Sequence, residues 1–307
     1  MIRGKKVDQT NTSINDNPKT ERSSLDRSYW GSVFYQLRKN KMAIISMIVL
    51  FLVVASCIII PFLTPSDYIK TDTVNKDLPP SINHLFGTDQ LGRDLFVRFF
   101  YAGRISLGIA LIVTVLECIV GVILGGVAGY YGKAADAIIM RLCEIFMSFP
   151  FLMFCITVVG LFGNSLTALV LVLVILSWPS IARIVRGQIL ALRELEYMEA
   201  CEALGISDFR RMFRHLLPNV LAYVIVYATL GMASVILTET ALSFLGLGVS
   251  PPTPTWGNLI QEARNPIILR QRWWYWIPPG LGISISVMCF NLVGDGLRDA
   301  IDPKMKR

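Results

Sequence analysis

The chain has 307 residues, 53% of them hydrophobic and 17% charged, with a net charge of +7 and a mean hydropathy of +0.54. That balance excludes an ordinary soluble domain, in which about a quarter of residues are charged, and makes lipid the solvent for most of the chain. The positive surplus forms no basic run with interleaved aromatics, so nucleic acid is excluded as a partner and inside-facing membrane loops account for the charge.

Residues 1–41 are a hydrophilic tail, of which 1–25 carry too few apolar side chains to fold and read as disordered. The apolar run Met42–Leu63 is longer than a signal-peptide core and has no small-x-small cleavage site, so it reads as a retained anchor and first span. Residues 64–104 form an external loop. Within it Asp89 is expected to cap an interfacial elbow helix starting near Gln90, with Leu91, Leu95 and Phe99 in the outer interface and Arg93 and Arg98 reaching headgroups. His84, Asp89 and Asp94 match no metal-site spacing, and no metal is expected.

The remaining spans are Ile105–Tyr131, Ile145–Phe162, Leu166–Ala182, Val220–Leu237 and Trp273–Val293, all within one transmembrane domain covering 105–307. Long uninterrupted apolar runs specify helices and not a barrel, so the fold class is an all-α integral membrane protein with six transmembrane helices. Six spans put both termini on one side, and 21 of the 29 Lys and Arg residues fall on that side. The positive-inside rule makes it the cytoplasm, with the aromatic cluster Trp273-Trp274-Tyr275-Trp276 at the outer interface. Cys57, Cys118, Cys143, Cys155, Cys201 and Cys289 lie in apolar runs or cytoplasmic segments and form no disulfide framework.

Three features stand out inside the spans. Gly121, Gly125 and Gly129 recur every fourth residue on one face of the second span, a pattern that lets another helix approach closely. Pro150 lacks an amide hydrogen and should kink or start the third span. Glu117 lies near the middle of the second span, where a charged side chain costs about 2.5–3.5 kcal/mol, so it must face protein or water. Pathway lining, an interhelical hydrogen bond and a neutral core group all remain open for it. Glu239 and its neighbour Thr238 stand near the outer end of the fifth span, where exposure to an outward-open pathway or a structural contact is expected.

The cytoplasmic segment 191–218 is charged yet periodic, and it reads as two short helices. The first, Leu192–Leu204, ends at Gly205, which suits the left-handed position that closes a helix, and Ser207 is placed to cap the second. On that second helix Phe209, Met212, Phe213 and Leu216 share one face and Arg210, Arg211 and Arg214 the other. An apolar face opposite a basic one makes a docking element.

Glu199-Ala200-Cys201, then Gly205, then His215-Leu216-Leu217-Pro218 resemble the EAA loop of ABC-importer permeases, with Cys201 in place of the usual Ala and His215 in place of the usual Ile. Two further stretches, His84–Asp94 with Gly103–Leu107 and Glu239–Gly248 with Pro251–Gly257, resemble the C-type permeases of the dipeptide, oligopeptide and nickel branch. The resemblance implies a permease subunit paired with a second permease, two ATP-binding cassette ATPases and an extracytoplasmic binding protein. It assigns ATPase coupling to Glu199, Ala200, Cys201, Gly205, Arg210, Phe213 and Pro218. It also implies uptake of peptides, or of nickel or another metal chelate, across the bacterial cytoplasmic membrane. No Gly-x-x-x-x-Gly-Lys-Ser/Thr occurs, so ATP and Mg are expected on the partners, with no cofactor and no enzymatic activity in this chain. The rival reading is an ion-coupled carrier that uses Glu117 as its proton site.

Overall fold

A computed structural model describes residues 29–64 and 67–301, which form helices and connecting turns. The tail assigned above as disordered lies outside the described residues. Helix α1 (Tyr29–Leu37) is followed by Asn40, whose side chain accepts from the Ala43 amide at 3.2 Å and starts α2 (Lys41–Leu63). At 1.5 Å per residue the 23 residues of α2 reach about 35 Å, enough to cross a bilayer. Val33 and Leu37 of α1 and Ala43 of α2 pack against the end of the last helix at Ala300 and Ile301, gathering the cytoplasmic ends of the chain.

The next helix, α3 (Leu95–Tyr131), is 37 residues long, about 55 Å, and therefore projects beyond the hydrocarbon. Its start corrects the expected elbow. Asp94, not Asp89, is the cap, accepting from the amides of Phe96 at 2.8 Å and Val97 at 3.2 Å. Asp89 instead folds the preceding turn, where Gly92 takes φ +73°. Its carboxylate accepts from the Leu91 and Arg93 amides, both at 2.9 Å, and from Arg93 Nε at 2.6 Å. Arg93 and Arg98 are thus buried beside Asp89 and do not reach headgroups.

After Gly132 the chain runs through α4 (Lys133–Ser148) and α5 (Phe151–Phe162), which meet at 84°. The third span, expected over Ile145–Phe162 with a kink or start at Pro150, is therefore broken at that proline. Phe149 is held extended by the following proline and Pro150 opens α5, because a proline ring disfavours helix in the residue before it. Helix α6 (Leu166–Arg193) continues well past the Ala182 boundary read from hydropathy. Short α7 (Glu196–Ala203) leads to α8 (Asp208–Phe244), and the external helices α9 (Trp256–Gln261) and α10 (Pro266–Gln271) precede α11 (Ile277–Ile301). Helices α2, α3, α6, α8 and α11 are each long and apolar enough to cross a membrane, and the bent α4–α5 pair completes six spans.

The tightest pairing is α3 on α6. A Cβ added at Gly121 would lie 1.6 Å from Ile181 Cγ2, and one at Gly125 only 2.4 Å from the Ala182 carbonyl oxygen. At Gly129 it would lie 2.9 Å from Ile189 Cβ. The glycine stripe thus places two backbones in contact, which gains dispersion energy that lipid tails alone do not supply. Asp136 of α4 forms a two-point ion pair with Arg186, tying α4 to the cytoplasmic part of α6.

Candidate coupling elbow and translocation cavity

At the cytoplasmic end, α7 closes with two paired reverse bonds. The Ile206 amide donates to the Cys201 carbonyl at 3.0 Å and the Gly205 amide to the Glu202 carbonyl at 2.9 Å. This is the Schellman arrangement, and it needs the left-handed backbone that Gly205 provides at φ +70°. Ser207 occupies the cap position of α8 but makes no side-chain capping bond. The first helical arm is shorter than the Leu192–Leu204 expected, because α6 persists to Arg193 and a break at Glu194-Leu195 separates the two.

Helix α8 opens with a π-helical turn over Arg211–Leu216, in which the Leu217 amide reaches back to the Met212 carbonyl. Pro218 explains it. Without an amide hydrogen, Pro218 cannot bond the Arg214 carbonyl and its ring crowds that carbonyl, so the widened turn relieves the clash. The widening also splits the expected apolar face. Leu216 is fully buried and Met212 half-buried against Val185, Ile189 and Val220, whereas Phe209 and Phe213 point outward with ring centroids 4.4 Å apart.

The elbow therefore has an anchored side and a free side. Met198 and Leu216 pack with Tyr130, Val185, Ile189 and Val220 of α3, α6 and α8, and Cys201 is buried. Glu199, Ala200, Gly205, Arg210, Phe213 and Pro218 are exposed, so among the seven residues assigned to coupling only Cys201 faces the scaffold. Sequence reasoning missed the polar joint that holds the elbow. Tyr130 donates its hydroxyl to Asp208 at 2.9 Å, Arg193 donates to the Tyr130 carbonyl at 2.7 Å, and Arg211 bridges Asp208 at 2.6 Å and Glu202 at 2.8 Å. These groups line a polar cleft of about 480 Å³. The tyrosine at the last turn of a long helix was a visible signal, but nothing in the spacing links it to a residue 78 positions away.

A second cavity, of about 350 Å³, lies at mid-membrane depth between α3, α6 and α8. It is lined by Glu117 of α3, Ser177 and Ser180 of α6, and Tyr227, Ser234 and Thr238 of α8, with Phe151 of α5 also in its wall. The structure thus brings Glu117 and Thr238 together and separates both from Glu239. The Glu239 carboxylate is fully buried and accepts from Ser243 at 2.7 Å and from Ser106 at 3.3 Å, while Ser106 Oγ accepts from the Trp256 amide at 3.1 Å. It braces α8, α3 and α9 and does not face solvent, so of the two roles open for it from the sequence the structure shows the contact and not the exposure.

Above the membrane a charge cluster fastens the external loop. Asp77 accepts from Arg272 and from the Tyr275 hydroxyl, each at 2.5 Å, and stands near the Asp89–Arg93–Arg98 group. Burial, reinforced by the neighbouring Asp89, pushes the Glu262 carboxyl up to about 7, against the opposing pull of Arg98 and Arg93.

Comparison with known proteins agrees with this architecture. Residues 121–307 match the binding-protein-dependent transport system inner membrane component family, and residues 28–80 match the N-terminal TM domain of oligopeptide transport permease C. The chain is 38% identical over 297 residues to the dipeptide transport system permease protein DppC of Bacillus subtilis, covering 96% of this chain and 92% of that one. It is 41% identical over 279 residues to the protein of the same name in Alkalihalophilus pseudofirmus, covering 91% of each chain. To the oligopeptide transport system permease protein OppC of Bacillus subtilis it is 38% identical, over 95% of this chain and 94% of that one. The broken six-span fold and these matches together make the chain a multi-pass protein of the cytoplasmic membrane that belongs to the binding-protein-dependent transport system inner membrane components, the permease subunits of ABC importers.

Proposed function

We propose that this chain forms, with a second permease, the pathway by which an ATP-driven importer takes up di- or oligopeptides. An extracytoplasmic binding protein delivers the solute to the outer face, and two ATPase subunits, which hold ATP and Mg, dock on the cytoplasmic elbows. The observation that carries the reading is the two-sided elbow. Its inner side is buried on the helix ends, and its outer side presents Leu204, Phe209 and Phe213 with Arg210 and Arg214, the composition of a protein interface and not of a solvated loop.

Helix α8 supplies the coupling. It is continuous from the elbow at Asp208 to the cavity wall at Thr238, about 45 Å, so a push on Phe209 and Phe213 is transmitted as a rigid-body motion to the residues facing Glu117. The peptide assignment is supported by relatives named for dipeptide and oligopeptide transport and by a 37%-identical glutathione transport system permease protein of Pectobacterium atrosepticum.

Affinity purification of the tagged chain from its host in mild detergent, with mass spectrometry of what accompanies it, tests the assembly. Two ATPases and a second permease in fixed ratio are the expected result. A folded chain that comes out alone removes the docking role of the elbow and favours the ion-coupled carrier.

A further inference from the structure

The mid-membrane cavity holds one ionisable carboxylate, Glu117, and no Lys, Arg or His among the residues that line it. The rest of its polar lining is hydroxyl: Ser177, Ser180, Tyr227, Ser234 and Thr238. Thr238 donates its own proton to the Ser234 carbonyl at 2.8 Å, which leaves its oxygen free as an acceptor. Glu117 has no ion-pair partner among the described residues. One turn back on the same face of α3, Thr114 is buried with its hydroxyl unpartnered. Both side chains converge on Gly231, where an added Cβ would stand 3.3 Å from Glu117 Oε1 and 3.9 Å from Thr114 Cγ2, so the glycine leaves room beside the carboxylate.

A buried acid without an ion-pair partner, among hydroxyls whose oxygens can accept and in a wall without cations, is complementary to a cationic donor. Resting on the reading of this cavity as the pathway, we infer that Glu117 is the subsite that receives the terminal ammonium of a passing peptide. The ammonium carries three N–H donors: one bonds the Glu117 carboxylate and the others bond hydroxyl oxygens of the lining, Ser177 on α6 and Ser234 one turn from Gly231 on α8. An aliphatic ammonium suits such a ring because its charge is compact and its donors rotate. The site therefore favours solutes with a free amino terminus over blocked or anionic ones, a selection made inside the membrane and separate from capture at the outer face.

The test uses the assembled transporter in proteoliposomes carrying Ser234→Cys, with modification at position 234 read by peptide mapping. Two methanethiosulfonates are compared, cationic aminoethyl and anionic sulfonatoethyl, each normalised to its rate with a free thiol. With Glu117 present the cationic reagent is expected to react about tenfold faster, and Glu117→Gln is expected to abolish the preference while Glu117→Asp retains it. Trialanine at millimolar concentration should protect position 234 when Glu117 is present and not in the Glu117→Gln background, and N-acetyl-trialanine should protect neither. Equal normalised rates with and without the Glu117→Gln substitution, or equal protection by blocked and free peptide, overturn the subsite and leave the pathway reading standing. No modification of position 234 by either reagent overturns both.

Discussion

The Tyr130 hydroxyl donates to the Asp208 carboxylate across 2.9 Å, joining the last turn of α3 to the first turn of α8. The same carboxylate accepts from Arg211, so one polar joint fastens the elbow to the helix that carries Glu117. Tyr130→Phe removes the hydroxyl and leaves the ring in the apolar cluster beneath the elbow. The expected outcome is an assembled transporter whose uptake per ATP hydrolysed falls several-fold. An unchanged ratio would mean that the joint plays no part in coupling.

The glycine stripe predicts a sharp contrast between two conservative substitutions. Gly125→Ala drives a methyl to within 2.4 Å of a backbone carbonyl that cannot rotate away, and it should destabilise the helix pair by about 1–3 kcal/mol. Gly187→Ala meets nothing within 4 Å and should be neutral or stabilising, by up to about 1 kcal/mol, through helix propensity. Thermal unfolding of the purified chain in detergent measures both. Similar midpoints for the two variants would contradict the packing described for α3 on α6.

Asp89 accepts from two amides and pairs with Arg93, both side chains being buried. Asp89→Ala leaves Arg93 and Arg98 without their counter-charge, and removing one partner of a buried pair costs about 3–5 kcal/mol. Poor yield and limited proteolysis within residues 67–94 are the expected results. A stable variant resistant to protease would show that the external loop is held by other contacts.

Glu262 gives the pH dependence. Its carboxyl is raised from 4.5 to about 7, so the folded protein binds this proton more tightly than the unfolded chain does. The stabilisation from this group is complete below the unfolded value and is lost as pH rises to about 7. Glu262→Gln should therefore unfold at a higher temperature than wild type at about pH 8, and the difference should vanish at about pH 4. A constant difference at both pH values would assign the effect to packing alone.

Much of the fold was legible because hydropathy and glycine spacing are local signals. The runs at Met42–Leu63 and Leu166–Ala182, the stripe at Gly121, Gly125 and Gly129, and the left-handed Gly205 are each determined within a few residues of sequence. What was not legible depends on partners distant in the chain. Asp89 and Asp94 are both competent caps, and choosing between them required knowing that Arg93 and Arg98 turn inward to meet the former. The burial of Glu239 depends on Ser106, 133 residues away, and the role of Tyr130 on Asp208. Pro150 signalled a break, but the 84° angle follows from packing that the dipeptide does not encode. At the elbow the heptad-like spacing suggested one apolar face, and the π turn demanded by Pro218 divided it into buried Leu216 and exposed Phe213.

The most direct test of coupling through the elbow is Gly205→Val in the full transporter, with ATP hydrolysis and peptide uptake measured side by side in proteoliposomes. Nothing lies within 4 Å of the position a Cβ would take, so the substitution acts only through the backbone, where a β-branched residue cannot hold φ +70° without strain. The account predicts that the subunits still assemble, that uptake falls about tenfold or more, and that hydrolysis no longer rises with loaded binding protein. Uptake per ATP equal to that of wild type would contradict it.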